Sequence, residues 1–191
     1  MNYIMGITEL DAVNEIIAGI GEAPIDTLEN MTDTDAINAY RLLKTIDRQE
    51  QARGWAFNIR RNISLIPDEN GHIKFNNMYL YIRPYDKTIN LARSGSYYKD
   101  LNRNTNVFSR SIKADVIEQV PFEELPDAYR NWVIAKAVYE FNSRYFGDAQ
   151  VAKDAQMKLL DACQYLQEYE MDINRYNMLE NTDVFRLKRR R

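Results

Sequence analysis

Between Gln51 and Ile59 the spacing of apolar residues changes from a helical to a strand period across a single glycine. Upstream, Ala36, Tyr40, Leu43 and Ile46 recur at three- and four-residue steps with charged residues between them. Downstream, Trp55, Phe57 and Ile59 alternate with shorter or polar neighbours. Gly54 stands where a helix commonly stops, because without a Cβ it accepts a left-handed backbone. The pattern predicts a helix ending near Arg53 and a strand starting directly after Gly54, so the chain changes architecture at this point.

The helical side holds two amphipathic segments. Thr8 can cap the first, in which Leu10, Val13, Ile16, Ile17 and Ile20 form an apolar stripe ended by Gly21 and Pro24. Asp33 or Thr34 starts the second, with Ile37, Tyr40, Leu43 and Ile46 on its buried face and Arg41, Lys44, Asp47 and Arg48 outside. Two short helices cannot make a domain unaided and need a partner surface.

From Trp55 to Val120 short aromatic and β-branched runs alternate with turn formers. Strands are expected at Ile63–Ile66, His72–Phe75, Met78–Ile82, Thr88–Ala92, Tyr97–Asp100 and Ile112–Val120. Asn70-Gly71 reads as a hairpin turn between the first two. Pro84, Ser94-Gly95 and the polar run 102–106 break the pattern, giving a small antiparallel sheet with exposed loops.

Helices return after Pro121. Pro126 and Asp127 open a third helix through Val133, Ala137, Phe141 and Tyr145, widened by Ile134 and Val138 and ended by Gly147. A fourth runs from Ala149 to about Met171, its apolar positions Ala152, Ala155, Leu159, Ala162, Leu166 and Tyr169 stepping by three and four, the spacing of helices packed at a shallow angle. The expected fold is α+β: a discontinuous four-helix, bundle-like domain (1–54 and 121–172), an inserted antiparallel β domain (55–120) and an extended C-terminal tail (173–191).

Composition narrows the function classes. The 191 residues are 45% hydrophobic and 28% charged, which suits a globular chain with a real core. Thirteen tyrosines supply rigid contact area with a polar tip, as in interfaces and in half-buried cores. A net charge of −3 argues against holding DNA by phosphate neutralisation, which needs a concentrated basic face. The single cysteine, Cys163, cannot pair within the chain, so a reducing compartment is expected. No apolar run spans a bilayer and Met1-Asn2-Tyr3-Ile4 lacks a basic leader, so a soluble protein made in a cytoplasm is expected.

The catalytic inventory is sparse. His72, the one histidine, follows a turn and is poorly placed for a Ser-His-Asp triad. One histidine and one cysteine do not make a zinc site, no calcium loop is present, and Gly19-Ile20-Gly21 is too short for a phosphate loop. No cofactor or metal ligand and no catalytic residue is assigned. Glu123, Glu124 and Asp127 have the residue types of a glycan hydrolase acting on capsule or cell-wall polysaccharide, the alternative reading. They also lie where exposed backbone N–H groups at a helix start favour negative charge. Glu168, Glu170 and Asp172 read as a solvated acidic face, which around a channel would repel DNA phosphates. The terminal Lys188–Arg191 run suits a frayed end, an acidic partner, or nucleic acid.

Leu10–Ile17, Ile20-Gly21-Glu22-Ala23-Pro24, Gln51–Asn58, Ile63–Asp68, Trp132–Gly147, Tyr169-Glu170-Met171-Asp172 and Tyr176-Asn177-Met178-Leu179 together resemble, in order along the chain, tail tubular protein A of short-tailed phages. The segment 76–110 carries little of that likeness. The resemblance implies a non-enzymatic virion protein made in the host and placed at the head–tail junction. There it forms a dodecameric adaptor ring between the portal protein and the tail nozzle, tail tubular protein B, with tail fibres nearby. DNA would pass through the lumen without sequence-specific binding during genome ejection. It also implies that the C-terminal segment docks to the portal, which here falls on Tyr176, Met178, Leu179, Phe185, Leu187, Lys188, Arg189, Arg190 and Arg191.

Overall fold

The computed structural model describes residues 6–179, and side chains to Ile173. The described chain is α+β and separates into two compact units. One holds the chain up to Glu50 and again from Pro121; the other is Gln51–Val120.

The helical unit contains α1 (Glu9–Ala18), α2 (Thr34–Gln51), α3 (Asp127–Phe141) and α4 (Ala149–Leu179). Thr8 and Asp11 form a reciprocal capping box at α1. The Asp11 N–H donates to Thr8 Oγ1 at 3.1 Å and the Thr8 N–H donates to Asp11 Oδ2 at 2.9 Å, satisfying two helix-end donors. The first of these bonds to be counted for Asp11, that from the Thr8 backbone, and then that from its hydroxyl hold its carboxyl below the usual carboxylate range. Asp33 caps α2 by accepting from the Ala36 N–H at 2.7 Å, and Asp148 caps α4 by accepting from Gln150 and Val151, both at 2.8 Å. The connection after α1 is pinned by the Asn14 amide, which donates to the Ile25 carbonyl and accepts from its N–H.

The α1 stripe buries Ala12, Val13, Ile16 and Ile17. The buried face of α2 is Ala36, Ala39, Leu42, Leu43 and Ile46, and continues through Asp47, Glu50 and Gln51; Ile37 and Tyr40 are only half-buried. Asp47 therefore lies inside, contrary to its sequence placement. It is one turn beyond Leu43, and the buried Tyr129 hydroxyl donates to its backbone carbonyl at 3.2 Å. One residue-turn later, Lys136 reaches Glu50 at 2.5 Å and lies 5.8 Å from the Trp132 ring centre. Tyr129, Val133, Ala137 and Phe141 of α3 complete this core, and α3 packs against α1 and α4.

α3 ends at Phe141 rather than running to Tyr145, because a wider π turn, Asn142–Phe146, follows and closes at left-handed Gly147. α4 in turn continues beyond Met171 to Leu179, so the expected tail begins later than its loss of apolar period indicates.

In the other unit, β1 (Ile59–Leu65), β2 (Tyr79–Pro84) and β5 (Ile112–Glu118) form an antiparallel sheet in the order β1-β5-β2, and β3 (Leu91–Ser94) pairs with β4 (Tyr97–Asp100). The single expected sheet is thus two. β5 is central and alternates as a one-sided strand does, with Ile112, Ala114 and Val116 buried. Ile112 and Ala114 pack with Leu65, Ile73, Ile89, Tyr98 and Phe108. β1 bulges between Arg60 and Ile63, where Asn62 takes φ 58°.

Two local expectations differ from the structure. The strand does not begin at Gly54: Asn58 accepts from the Trp55 N–H through its side chain and folds 55–58 into a turn, so β1 starts at Ile59. Asn70-Gly71 makes no hairpin either. Asp68 Oδ1 accepts from the Asn70 and His72 N–H groups, closing an Asx-type turn, and His72–Phe75 contributes only an isolated bridge from Lys74 to Tyr97.

Candidate functional site

α4 is the element with most surface left over. Its 31 residues span about 46 Å against about 22 Å for the 15 residues of α3 at 1.5 Å per residue. Among its described residues only Ala155 and Leu166 are buried. At 100° per residue Met157, Leu160 and Met171 share one strip on the opposite side, and Leu160 is 63% exposed. At the corner before α4, Tyr145 and Phe146 are also half exposed, Tyr145 leaning on Phe141 with ring centres 4.7 Å apart.

Across α4 from that strip the helical unit carries a groove of about 410 Å³ lined by α1, α3 and α4. Its floor is apolar: Ile7, Ile134, Val138, Ala155 and Ala162. The gap exists because α4 presents alanines there, too small to reach α1. Its rim is charged, with Asp11 and Glu15 on α1 and Lys158 on α4; Glu15 and Lys158 approach to 3.8 Å with both side chains mostly exposed, a weak tie.

Further along α1, Glu9 accepts from the Lys44 ammonium at 2.5 Å and from the Tyr40 hydroxyl at 3.2 Å. Burial pushes Lys44 down, but its bond to Glu9 and then the Glu9 charge outweigh that and leave it raised. Tyr40 is raised by burial first and by the Glu9 charge second. These ties fix α2 against α1.

The β unit exposes Tyr81, Arg83 and Tyr85 on β2 and just after it. The Tyr85 hydroxyl donates to Asp115 at 2.7 Å, which lowers the Asp115 carboxyl and raises the tyrosine. Arg83 stands 3.9 Å from the same carboxylate. Residues 51–120 contain eleven Lys and Arg against six Asp and Glu, a net of +5. Residues 1–50 with 121–179 contain nine against twenty, a net of −11. The near-neutral total conceals a basic unit and an acidic one.

The sequence candidates fall as follows. Glu123 and Glu124 lie in a 3-10 turn, Phe122–Glu124, and Asp127 is bound by the Arg130 guanidinium, which also donates to the backbone carbonyls of Glu123 and Ile7. Asp127 is thereby tied into the fold. His72 stacks on Tyr97 with ring centres 5.0 Å apart. Glu168 and Asp172 share the outer side of α4, but Glu170 lies roughly opposite at 100° per residue and is half-buried, so the three do not form one acidic face. Among the described residues no group of three or more His, Cys, Asp or Glu side chains is set to hold a metal ion, and no helix is long and apolar enough to cross a membrane. Tyr176, Met178 and Leu179 fall on the last turns of α4 with their side chains outside the described residues. Phe185, Leu187 and Lys188–Arg191 lie outside them altogether.

Sequence reasoning missed the groove, since a gap left by alanines has no signature in periodicity. It also missed the charge separation, which counting by segment exposes. A search of the curated proteins returned no match. A family model described as tail tubular protein matches residues 10–176, which reaches from α1 into the last turns of α4 and draws on both units. The chain accordingly belongs to the tail tubular protein family and is a structural component of a phage tail.

Proposed function

We propose that copies of this protein assemble into a ring, twelve in number as the resemblance implies, that joins the portal to the tail nozzle. The ring extends the DNA exit channel, offers a rim to nozzle and tail fibres, and breaks no bond in doing so. Its C-terminal segment, Tyr176 to Arg191, engages the portal. The observation that carries this reading is the family match across residues 10–176.

The surface is consistent with such a role. A closed ring needs two different faces on each subunit, and the exposed apolar strip of α4 lies apart from the groove. An acidic helical unit lining a lumen would repel phosphates and let a duplex slide rather than bind. Mass photometry of the protein alone and with its portal tests the reading, with a ring-sized species expected on mixing. A protein that remains monomeric at micromolar concentration with portal present overturns it.

A further inference from the structure

The β1-β5-β2 sheet has one buried side and one open side. β5 buries Ile112, Ala114 and Val116, so Lys113, Asp115 and Ile117 point the other way. The register sets Ile59 and Tyr81 beside Ile117, and Arg83 beside Asp115, on that open side. A hollow of about 210 Å³ lies there, with Ile59, Tyr81 and Ile117 as its apolar part, and Tyr81 is 56% exposed. We propose that this open sheet face is the seat for α4 of a second copy. Met157 and Leu160 of that copy lie over Ile59, Tyr81 and Ile117, and its Asp161 and Glu168 meet Arg83 and Lys113.

Two observations select this partner. The first is charge. Arg83 and Lys113 stand on the sheet face, and Arg61 in the β1 bulge is close enough for its charge to act on Asp115. Asp115 is the one acid among them, and its carboxylate already accepts from the Tyr85 hydroxyl at 2.7 Å and the Asn62 N–H at 3.2 Å. On α4, Asp154, Asp161 and Glu168 follow at seven-residue intervals and form an exposed line within about 60° of Met157, while Lys153 stands on the other edge of the apolar strip. Opposite charges across a contact select the partner and fix its register. The groove between α1, α3 and α4 is a poorer seat for the same helix, because Asp11 and Glu15 on its rim repeat the sign of that line.

The second is fit. Three strands about 4.8 Å apart make a face roughly 10 Å wide, the width of one helix with its side chains. From Met157 to Glu168 α4 runs about 17 Å at 1.5 Å per residue, against about 13 Å from Lys113 to Ile117 along β5 at 3.3 Å per residue. The contact is heterologous: each copy gives its α4 to one neighbour and its sheet to the other, as ring closure requires. It rests on the ring reading above and names the contact that closes the ring.

Charge reversal in the full chain tests it. A sheet variant carries Arg83→Glu with Lys113→Glu, and a helix variant carries Asp161→Lys with Glu168→Lys. Each alone is expected to lower ring formation with portal at least tenfold by mass photometry, with the circular dichroism of wild type. An equimolar mixture is expected to recover rings, because the two chains alternate and every contact again joins opposite charges. A sheet variant that still forms rings, whether or not it has lost nozzle or DNA, overturns the proposal, and so does a mixture that fails to recover. A second measurement keeps all these charges. In a Cys163→Ser background, chains with Tyr81→Cys are mixed with chains carrying Leu160→Cys, and under a mild oxidant with portal the mixed dimer is expected to form at least tenfold faster than with Glu69→Cys, an exposed site in the turn after β1, in place of Tyr81→Cys. Equal rates overturn the contact. Wild-type chains that form no ring with portal overturn the ring reading and this contact together, whereas wild-type rings with unaffected variants overturn the contact alone.

Discussion

The Gln51 side-chain amide holds both backbone groups of Val120: Nε2 donates to the Val120 carbonyl at 3.0 Å and Oε1 accepts from its N–H at 2.8 Å. Gln51 begins the β unit and Val120 ends it, 69 residues later, so a side chain closes the inserted segment as a strand neighbour would. Asn58, fully buried, adds a second tie by donating to the Gln51 carbonyl at 3.0 Å while its own carbonyl accepts from the Glu118 N–H at 2.9 Å.

Gln51→Ala is therefore expected to destabilise the β unit by about 1–3 kcal/mol, because two partly buried backbone groups of Val120 lose their hydrogen-bond partner. Urea unfolding with a probe in this unit, such as Trp55 fluorescence, checks it. A change below about 0.5 kcal/mol, the size of an ordinary surface substitution, means that the pair contributes little.

At Gly54 the backbone has φ +82°, and a Cβ would stand 2.9 Å from Ile117 Cδ1. Gly54→Ala combines left-handed strain, on the order of 1 kcal/mol, with a clash. Gly95 has φ +61° with nothing within 4 Å, so Gly95→Ala suffers the backbone cost alone. The expected order, Gly54→Ala the more destabilising, is read from paired thermal melts.

The capping box at α1 makes a pH-dependent contribution. The Asp11 carboxyl is lowered in the folded protein by its bonds from Thr8, so its stabilisation is present above the unfolded carboxylate pKa of about 3.9. It is lost as the pH falls from there through the lower folded value. Asp11→Ala is expected to cost about 1 kcal/mol at pH 7, the usual worth of a helix cap, with the difference from wild type shrinking below pH 4. Circular dichroism melts between pH 7 and pH 2 follow it.

Lys136 and Glu50 form a largely buried pair, their side chains 24% and 3% exposed. Lys136→Met removes the ammonium bound to the buried Glu50 carboxylate and is expected to cost on the order of 3 kcal/mol. Lys136→Met with Glu50→Leu is expected to recover most of that, since packed apolar side chains often replace a buried pair without loss. Denaturant unfolding of the two single variants and the double variant measures the coupling.

Leu160→Glu changes a side chain that is 63% exposed, so folding stability is expected to stay within about 0.5 kcal/mol of wild type. If the α4 strip is a contact face, ring formation with portal falls at least tenfold, read by mass photometry. A folded variant that assembles normally removes this face from the interface.

The helices were legible because each is written locally. Thr8, Asp33 and Pro126 mark starts, Gly147 marks a stop, and Val13, Ile16 and Ile17 or Val133, Ala137 and Phe141 give the buried sides. The strands were less so. Asn70-Gly71 carries a hairpin signal, yet Asp68 captures the neighbouring N–H groups and no paired strand follows. Asn58 likewise overrides the alternation of Trp55, Phe57 and Ile59. In both places a polar side chain competes for backbone groups, a contest that periodicity does not record.

The chemistry of the surface divides in the same way. The acidic and basic halves can be counted along the chain, because charge follows from composition. That Asp47 and Gln51 lie inside, and that alanines at 155 and 162 leave a groove beneath Asp11 and Glu15, required the packed helices. The period change near Gly54 alone determined that helical and β segments divide there, since side-chain spacing follows from backbone repeat. Which distant residue closes the β unit was decided only by the tertiary structure. The Gln51 amide finds Val120 because the two are brought together by the folding of everything between them, and no local pattern encodes a partner 69 residues away.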